Sequence, residues 1–183
     1  MKKHIYNGKS IPPDLRKSML RYRHETFIQK LGWEIPGASQ ELESDEFDRD
    51  DTVYILLANA HRQVRGCARL LPTTAPYLLQ RHFSSLCNNT LPVNRTTWEL
   101  SRFAASCNEQ TVGAALLTAT LVCARELGAE QLIGVTFASI ERLFRQYGAS
   151  VTREGSSRRI EGRLVVACRM DVEQSLATLD GIA

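Results

Sequence analysis

Two rhythms of apolar and polar positions run along this chain. From Asp14 to Leu31 good helix formers set Leu20, Phe27 and Leu31 on one stripe; Pro12-Pro13 suits a first helical turn and Gly32 an ending. Arg23 shares that stripe four residues before Phe27, so a charge and an aromatic ring face the same way. A second helix is predicted from about Thr111 to Leu127, with Val112, Ala115, Leu116, Ala119, Val122 and Cys123 as its apolar face and Gly128 closing it. Shorter helices are expected around Tyr77 to Leu86 and from Ser139 to Tyr147, the latter capped by Gly148. Strand-like runs fall at His4 to Tyr6, Thr52 to Asn59, Val64 to Leu71, around Trp98 to Phe103, Gln131 to Thr136 and Leu164 to Met170. The AHRQ segment joins the second and third as a hairpin, and Pro72 stops the third. Helices alternating with strands predict a mixed α/β fold, an open sheet with helices on its faces. Residues 34 to 51, rich in Glu, Asp, Ser, Gly and Pro, form a long loop, and loops of that length in a compact domain are often functional.

Composition narrows the class. At 183 residues the chain has room for one full hydrophobic core and too little for two ordinary domains, so a single domain over 1-183 is expected. Hydrophobic residues at 43% and charged residues at 23% are ordinary for a soluble globular protein, and the apolar runs are far shorter than a bilayer requires. MKKHIYNGKS has two lysines with no apolar stretch behind them, which argues against a signal peptide and for the cytoplasm. Five cysteines, Cys67, Cys87, Cys107, Cys123 and Cys168, are odd in number and never closely paired, so reduced thiols are expected rather than disulfides or zinc. A net charge of +3 without basic, aromatic-laced stripes gives no reason to expect nucleic acid; a local basic patch still suits an acidic protein partner.

Charges inside apolar strands carry the chemical interest. In WELSRF, regular alternation puts Trp98, Leu100 and Arg102 on one side and Glu99, Ser101 and Phe103 on the other. Either one face is solvated, or the strand twists or bulges and opens a polar cleft, or the charges pair with a neighbouring strand. Arg69 poses the same problem in CARLLPTT. Asp45 and Asp48 stand three apart in ESDEFD, without the alternating ligands and central glycine of a helix-loop-helix calcium site, and no metal motif fits. Gln110 to Ala115, QTVGAA, stands where a strand passes into a helix; free amides there suit phosphate or pantetheine groups, as in the GNAT acetyltransferases, and suit a plain close-packed helix start equally.

Taken together these residues resemble a known family. R-x-x-x-F (Arg23, Phe27), LGW with Trp33, D-x-x-D (Asp45, Asp48), CARLLPTTAPYLL with Arg69, Phe83 after it, and WELSRF with Glu99 and Arg102 are similar to the signature of LuxI-type acyl-homoserine-lactone synthases, the autoinducer synthases of bacterial quorum sensing. The resemblance implies a single-domain αβα sandwich with a mixed sheet, related to the GNAT acyltransferases. It implies two substrates: S-adenosylmethionine (SAM), a substrate and not a cofactor, and a fatty acyl thioester on acyl carrier protein (ACP). The SAM amine takes the acyl group; the SAM carboxylate then closes the lactone and releases 5'-methylthioadenosine, with no metal and no cofactor. A generic GNAT-type N-acyltransferase using an acyl-CoA, and a non-catalytic small-molecule or acyl sensor on the same fold, are the alternatives.

Under that resemblance each residue has an expected role. Glu99 is the candidate base for the amine, directly or through a water, with positioning of the amine or pairing with Arg102 as its alternative roles, and backbone amides near Ser101, Arg102 and Phe103 are candidate donors to the thioester oxygen. Arg23, Arg69 or Arg102 would hold the SAM carboxylate, Phe27 and Trp33 its cationic groups, and Asp45 and Asp48 its ammonium or a neighbouring arginine. The acyl chain would meet Phe83, Phe103, Leu116, Thr136, Phe137 and Leu143. Arg142, Arg145, Arg153, Arg158 and Arg159, with Arg163, would dock the acidic carrier.

Overall fold

The computed structural model describes residues 1–36, 38–106 and 110–180; Cys107, one of the five cysteines, lies outside them. The chain divides into two compact units, Met1–Arg69 with Arg102–Ala119, and Leu70–Ser101 with Thr120–Ala183.

In the first unit, strand β1 (Lys2–Asn7) runs antiparallel to β2 (Val53–Ala58), with Lys2 opposite Ala58 and Asn7 opposite Val53. Strand β2, VYILLA, is buried at every position, which is why it lacks the polar alternation of a one-sided strand. The sheet continues through β3 (Val64–Pro72) to β4 (Thr97–Ala105). Pro72 is thus the last residue of its strand rather than the first beyond it, a place where a missing N–H is tolerated.

The helix expected to run unbroken to Leu31 is two pieces. Helix α1 spans Pro13–Arg23, and the chain then widens into a π-helical stretch, His24–Lys30. That change of pitch keeps both His24 and Phe27 buried, and the stretch ends with Gly32 donating to the Ile28 carbonyl and Trp33 to that of Phe27, each at 2.9 Å. Leu15 and Met19 of α1, Phe27, Tyr54 and Leu56 of β2, Val64 and Cys67 of β3 and Ala104 of β4 form this unit's core. Helix α3 (Gln110–Glu126) lies close over β3: a Cβ added to Gly66 would sit 3.5 Å from Val112 and 3.6 Å from Leu116. Its inner face includes Val112, Leu116, Ala119 and Cys123 as expected, whereas Ala115 is exposed.

The second unit holds a short helix α2 (Leu78–His82) followed by a 3₁₀ turn, Ser84–Leu86, where one longer helix was expected. Strand β5 (Gln131–Phe137) leads into α4 (Ala138–Gln146), then β6 (Ser150–Arg153), β7 (Arg158–Ile160), β8 (Arg163–Asp171) and α5 (Val172–Asp180). Gly128 and Gly148, which end α3 and α4, have φ of +77° and +95°, a region that costs a side chain dearly. Strands β6 and β7 and helix α5 escape sequence reading. The two strands are short, polar edge pieces with little periodicity, and α5 begins on the residue after β8 without a turn signal.

Strand β5 pairs with β8 along its whole length, from Gln131 opposite Asp171 to Phe137 opposite Val165. Its parallel pairing with β4 covers Thr97 to Glu99 against Gln131 to Ile133 and goes no further. Beyond Glu99, therefore, β4 leaves β5. Gly134 stands at that departure, so close that a Cβ there would lie 2.4 Å from the Leu100 carbonyl oxygen. The mixed α/β class read from the alternation of elements is the class observed.

Candidate active site

The conflict posed by WELSRF is resolved in the backbone. Arg102 has φ of +50°, a left-handed conformation that costs a residue bearing a Cβ about 1–3 kcal/mol. Of the alternatives open from sequence, the strand is deformed at this residue, and the Arg102 side chain is freed from the face that alternation would give it. The Cys67 thiol donates to the Arg102 carbonyl at 3.2 Å.

The freed guanidinium joins a buried cluster within the first unit. Segment 34 to 51 brings in Glu43, Asp45 and Asp48; α1 supplies Arg23, β3 Arg69 and β4 Arg102. Arg23 donates through Nε and Nη2 to Glu43 at 2.5 and 2.9 Å, and through Nη1 and Nη2 to Asp48 at 2.7 and 2.9 Å. Arg69 forks onto Asp45 at 2.6 and 3.0 Å and reaches Asp48 at 3.2 Å. Arg102 donates to Glu43 at 3.1 to 3.3 Å and to Asp45 at 2.7 Å. The Tyr54 hydroxyl adds a bond to Asp48 at 2.8 Å. Three carboxylates face three guanidinium groups, so the formal charges cancel, the condition under which burial of charge is tolerable.

The loop is shaped to deliver these carboxylates. Asp48 accepts from the Asp45 amide at 2.8 Å, Asp45 accepts from the Phe47 amide at 2.9 Å, and the Glu43 amide donates to the Leu20 carbonyl at 3.1 Å. The D-x-x-D spacing is thus a pair of short-range side-chain turns that point both carboxylates inward. Burial alone would push the Asp48 carboxyl up; the Arg23 and Arg69 charges instead hold it well below the usual carboxylate range. Burial likewise opposes ionisation of Glu43 and Asp45, and is overcome by Arg23 and Arg102 for Glu43 and by Arg69 and Arg102 for Asp45. Arg102 moves the other way: burial, then the charge of Arg69, lowers its pKa against the pull of Glu43. The three carboxylates stand close enough to share a metal ion, yet their oxygens already accept from guanidinium groups that supply the positive charge a cation would bring.

An aromatic wall borders the cluster. Phe27 and Trp33 stack with centroids 4.8 Å apart, and the Arg102 guanidinium lies 5.5 and 5.6 Å from the two rings. Most cluster side chains are shut off from solvent. The most open are Asp45, at 10% exposure, and its partner Arg102, at 5%. Arg23, Phe27, Trp33, Asp45, Asp48, Arg69 and Arg102, all singled out in the sequence, therefore converge. Glu43 and Tyr54 were missed. Three arginines on apolar elements require three buried anions, and the two aspartates leave one charge over; that imbalance was the available signal for Glu43.

The other expected site residues stand as follows. Glu99, fully buried in the second unit, accepts from the Leu78 amide at 2.8 Å and the Leu79 amide at 2.6 Å. Ser101 is buried on the same strand. Phe103 is half-buried, and Leu116 is fully buried where α3 covers β3. Phe83, Thr136, Phe137 and Leu143 are half-buried in the second unit, where the Arg163 guanidinium lies 5.1 Å over the Phe137 ring. Arg145 and Arg153 are engaged by one buried carboxylate, Glu141, at 3.0 and 2.7 Å. Arg142, Arg158 and Arg159 are exposed.

The mixed sheet, whose parallel strands β4 and β5 part after three residue pairs, has counterparts among solved structures. An acyl-CoA N-acyltransferase from Pseudomonas aeruginosa shares the fold, with a TM-score of 0.63 over 92% of this chain and 99% of that one, at 16% identity. Within that class the likeness is much closer. The crystal structure of TofI in a ternary complex with an inhibitor and MTA matches with a TM-score of 0.90 and 44% identity over 98% of this chain and 97% of that one. BjaI, a CoA-dependent acyl-homoserine lactone synthase solved with SAM and isopentyl-CoA, matches with a TM-score of 0.90 and 25% identity over 98% and 88%. The acyl-homoserine-lactone synthase of Ralstonia nicotianae is 41% identical over 100% of this chain and 94% of its own length. The Autoinducer synthase family model matches residues 11–178, and the chain belongs to that family.

Proposed function

We propose that this protein is an acyl-homoserine-lactone synthase that acylates the amine of SAM and then closes the lactone. The observation that carries this reading is the neutral ion cluster beside the stacked Phe27 and Trp33, with Arg102 and Asp45 as its most open members. A zwitterionic amino acid needs a guanidinium for its carboxylate and a carboxylate or ring face for its cationic groups; Arg102, Asp45 and the Phe27–Trp33 wall offer these together. Arg23, Arg69 and Asp48 lie deeper and hold that edge in place.

In the first step the unprotonated amine nitrogen bonds to the thioester carbonyl carbon, the C–S bond breaks, and the proton that the nitrogen loses goes to the departing thiolate, which leaves as the carrier thiol. In the second the SAM carboxylate oxygen attacks the carbon attached to the sulfonium. That C–S bond breaks, and 5'-methylthioadenosine departs as a neutral thioether. Because the leaving group is already cationic, the second step chiefly requires the carboxylate to be held within reach of the carbon. SAM is consumed as a substrate, and neither step calls for a metal.

The half-buried side chains Phe83, Thr136, Phe137 and Leu143 are the acyl-contacting positions in this reading. The donor is acyl-ACP, whose acidic surface suits the exposed Arg142, Arg158 and Arg159. BjaI, described as CoA-dependent, makes acyl-CoA the second donor to test. No helix among the described residues is long and apolar enough to cross a membrane, and we place the reaction in the cytoplasm, beside both substrates.

The test is to incubate the purified protein with SAM and either acyl-ACP or acyl-CoA, following acyl-homoserine lactone and methylthioadenosine by mass spectrometry. Equimolar formation of both products with acyl-ACP is expected. Amide formed on a different amine would mark a generic N-acyltransferase, and absence of turnover with both donors would mark a binding protein.

A further inference from the structure

Glu99 is the residue that chemistry first suggests as the base for the SAM amine, yet its surroundings describe different work. Helix α2 starts at Leu78 behind Tyr77, whose side chain makes no capping bond. The Tyr77 hydroxyl is turned to the Pro92 carbonyl and the proline ring at 76 carries no acceptor, so neither side chain caps the first amides of the helix, of which that of Leu79 is buried. Glu99 supplies the acceptors from another strand. Its Oε2 takes the Leu78 amide at 2.8 Å and its Oε1 the Leu79 amide at 2.6 Å. Each carboxylate oxygen is thus committed to a backbone donor, in a side chain that is fully buried. The neighbourhood is closed as well: Tyr77 and Leu79 are both buried, and the Tyr77 hydroxyl donates to the Pro92 carbonyl at 2.9 Å.

The position of this tether in the sheet gives it a purpose. Glu99 is the last β4 residue paired with β5, opposite Ile133, and α2 packs against β5. One carboxylate therefore joins α2 to β4 at the residue where β4 leaves β5, immediately before Leu100 and Ser101. We propose that Glu99 is a positioning residue and not the proton acceptor: it replaces the missing N-cap of α2 and locks that helix to the point where β4 and β5 part. To act as the base, an Oε atom would have to take the proton on its remaining lone pair, which turns a charge-assisted amide bond into a weaker neutral one and loosens the hold on the helix. The reaction asks little of a base. An α-amine with a reference pKa of about 8 is already unprotonated in about a tenth of molecules at pH 7, and loses its proton to solvent.

This inference rests on the synthase reading, and the experiment separates the two. Glu99→Gln keeps one acceptor oxygen and Glu99→Ala keeps none. Lactone formation by wild type and Glu99→Gln is measured from pH 6.5 to 9.5, and amide hydrogen exchange at Leu78 and Leu79 is measured in all three proteins. Positioning predicts a turnover deficit for Glu99→Gln of roughly ten- to a hundredfold, the same factor at every pH, because misplacement does not titrate. It also predicts exchange at Leu78 and Leu79 that is faster in Gln and fastest in Ala. A deficit that vanishes above about pH 9, where the amine needs no base, would overturn the proposal. So would unchanged exchange at both amides. A wild-type protein that makes no lactone would refute the synthase reading and leave the tether to be judged by exchange alone, a measurement Glu99→Gln suffices for if Glu99→Ala does not fold.

Discussion

Glu43→Gln tests whether the buried cluster depends on charge balance. Glu43 is fully buried and accepts two bonds from Arg23 and three more from Arg102. Glutamine keeps the size of the side chain and removes its charge, leaving three buried guanidinium groups with two carboxylates. Breaking a buried pair on one side costs about 3–5 kcal/mol, because the orphaned charge stays out of water. For a chain of this size each kcal/mol moves the melting midpoint by about 2–4 °C, so a fall of roughly 6–20 °C is expected. Arg23→Met alone should cost a similar amount by leaving the opposite excess. The double variant restores balance, two carboxylates against two guanidinium groups, and should be less destabilised than the sum of the singles by about 1–3 kcal/mol. Urea and thermal unfolding at pH 7, followed by circular dichroism, measure all four proteins. A single-variant loss below about 1 kcal/mol, or strict additivity in the cycle, would refute the balance argument.

The same cluster sets the acid limit of stability. Its carboxyls have folded pKa values below their unfolded value of about 4, so their stabilisation is complete above that pH and is lost as the pH falls through the folded values. The urea midpoint should be flat between pH 7 and 5 and drop steeply below about pH 4; a midpoint already falling at pH 6 would contradict this. Gly134→Ala forces a methyl group against the Leu100 carbonyl, 2.4 Å from the ideal position, and should cost about 1–3 kcal/mol by the same unfolding measurement. A neutral result would show that β4 and β5 separate freely. Burial pushes the Cys67 and Cys168 thiols up to about 12, so neither should react with iodoacetamide at pH 8 until denaturant is added, as peptide mass mapping will report.

Much of the architecture was legible because helical and strand periodicities are local properties. The stripe through Leu20 and Phe27, the long run from Thr111 and the apolar strands β2 and β3 all appear near their expected places. The failures were local too. Nothing in HETFIQK announces a change of helical pitch, and SVTR and RRI are too short and polar to carry a period. Among site residues, the arginines stood out because a guanidinium in an apolar strand must be explained, whereas Glu43 lay in a loop where acidic residues need no explanation.

The sequence by itself determined which elements form and that Arg23, Arg69, Glu99 and Arg102 require partners, since burying a charge is costly wherever the chain places it. Which partners they have was decided by tertiary structure. Arg23 meets Glu43 and Asp48 across 20 and 25 residues, and Arg102 meets Glu43 across 59. Glu99 and Arg102, three residues apart in the chain, have different tasks, one holding the backbone of α2 and the other the carboxylates of the loop. Periodicity reports the direction of a side chain relative to its own element. Only packing brings distant elements close enough for a guanidinium to donate to a carboxylate.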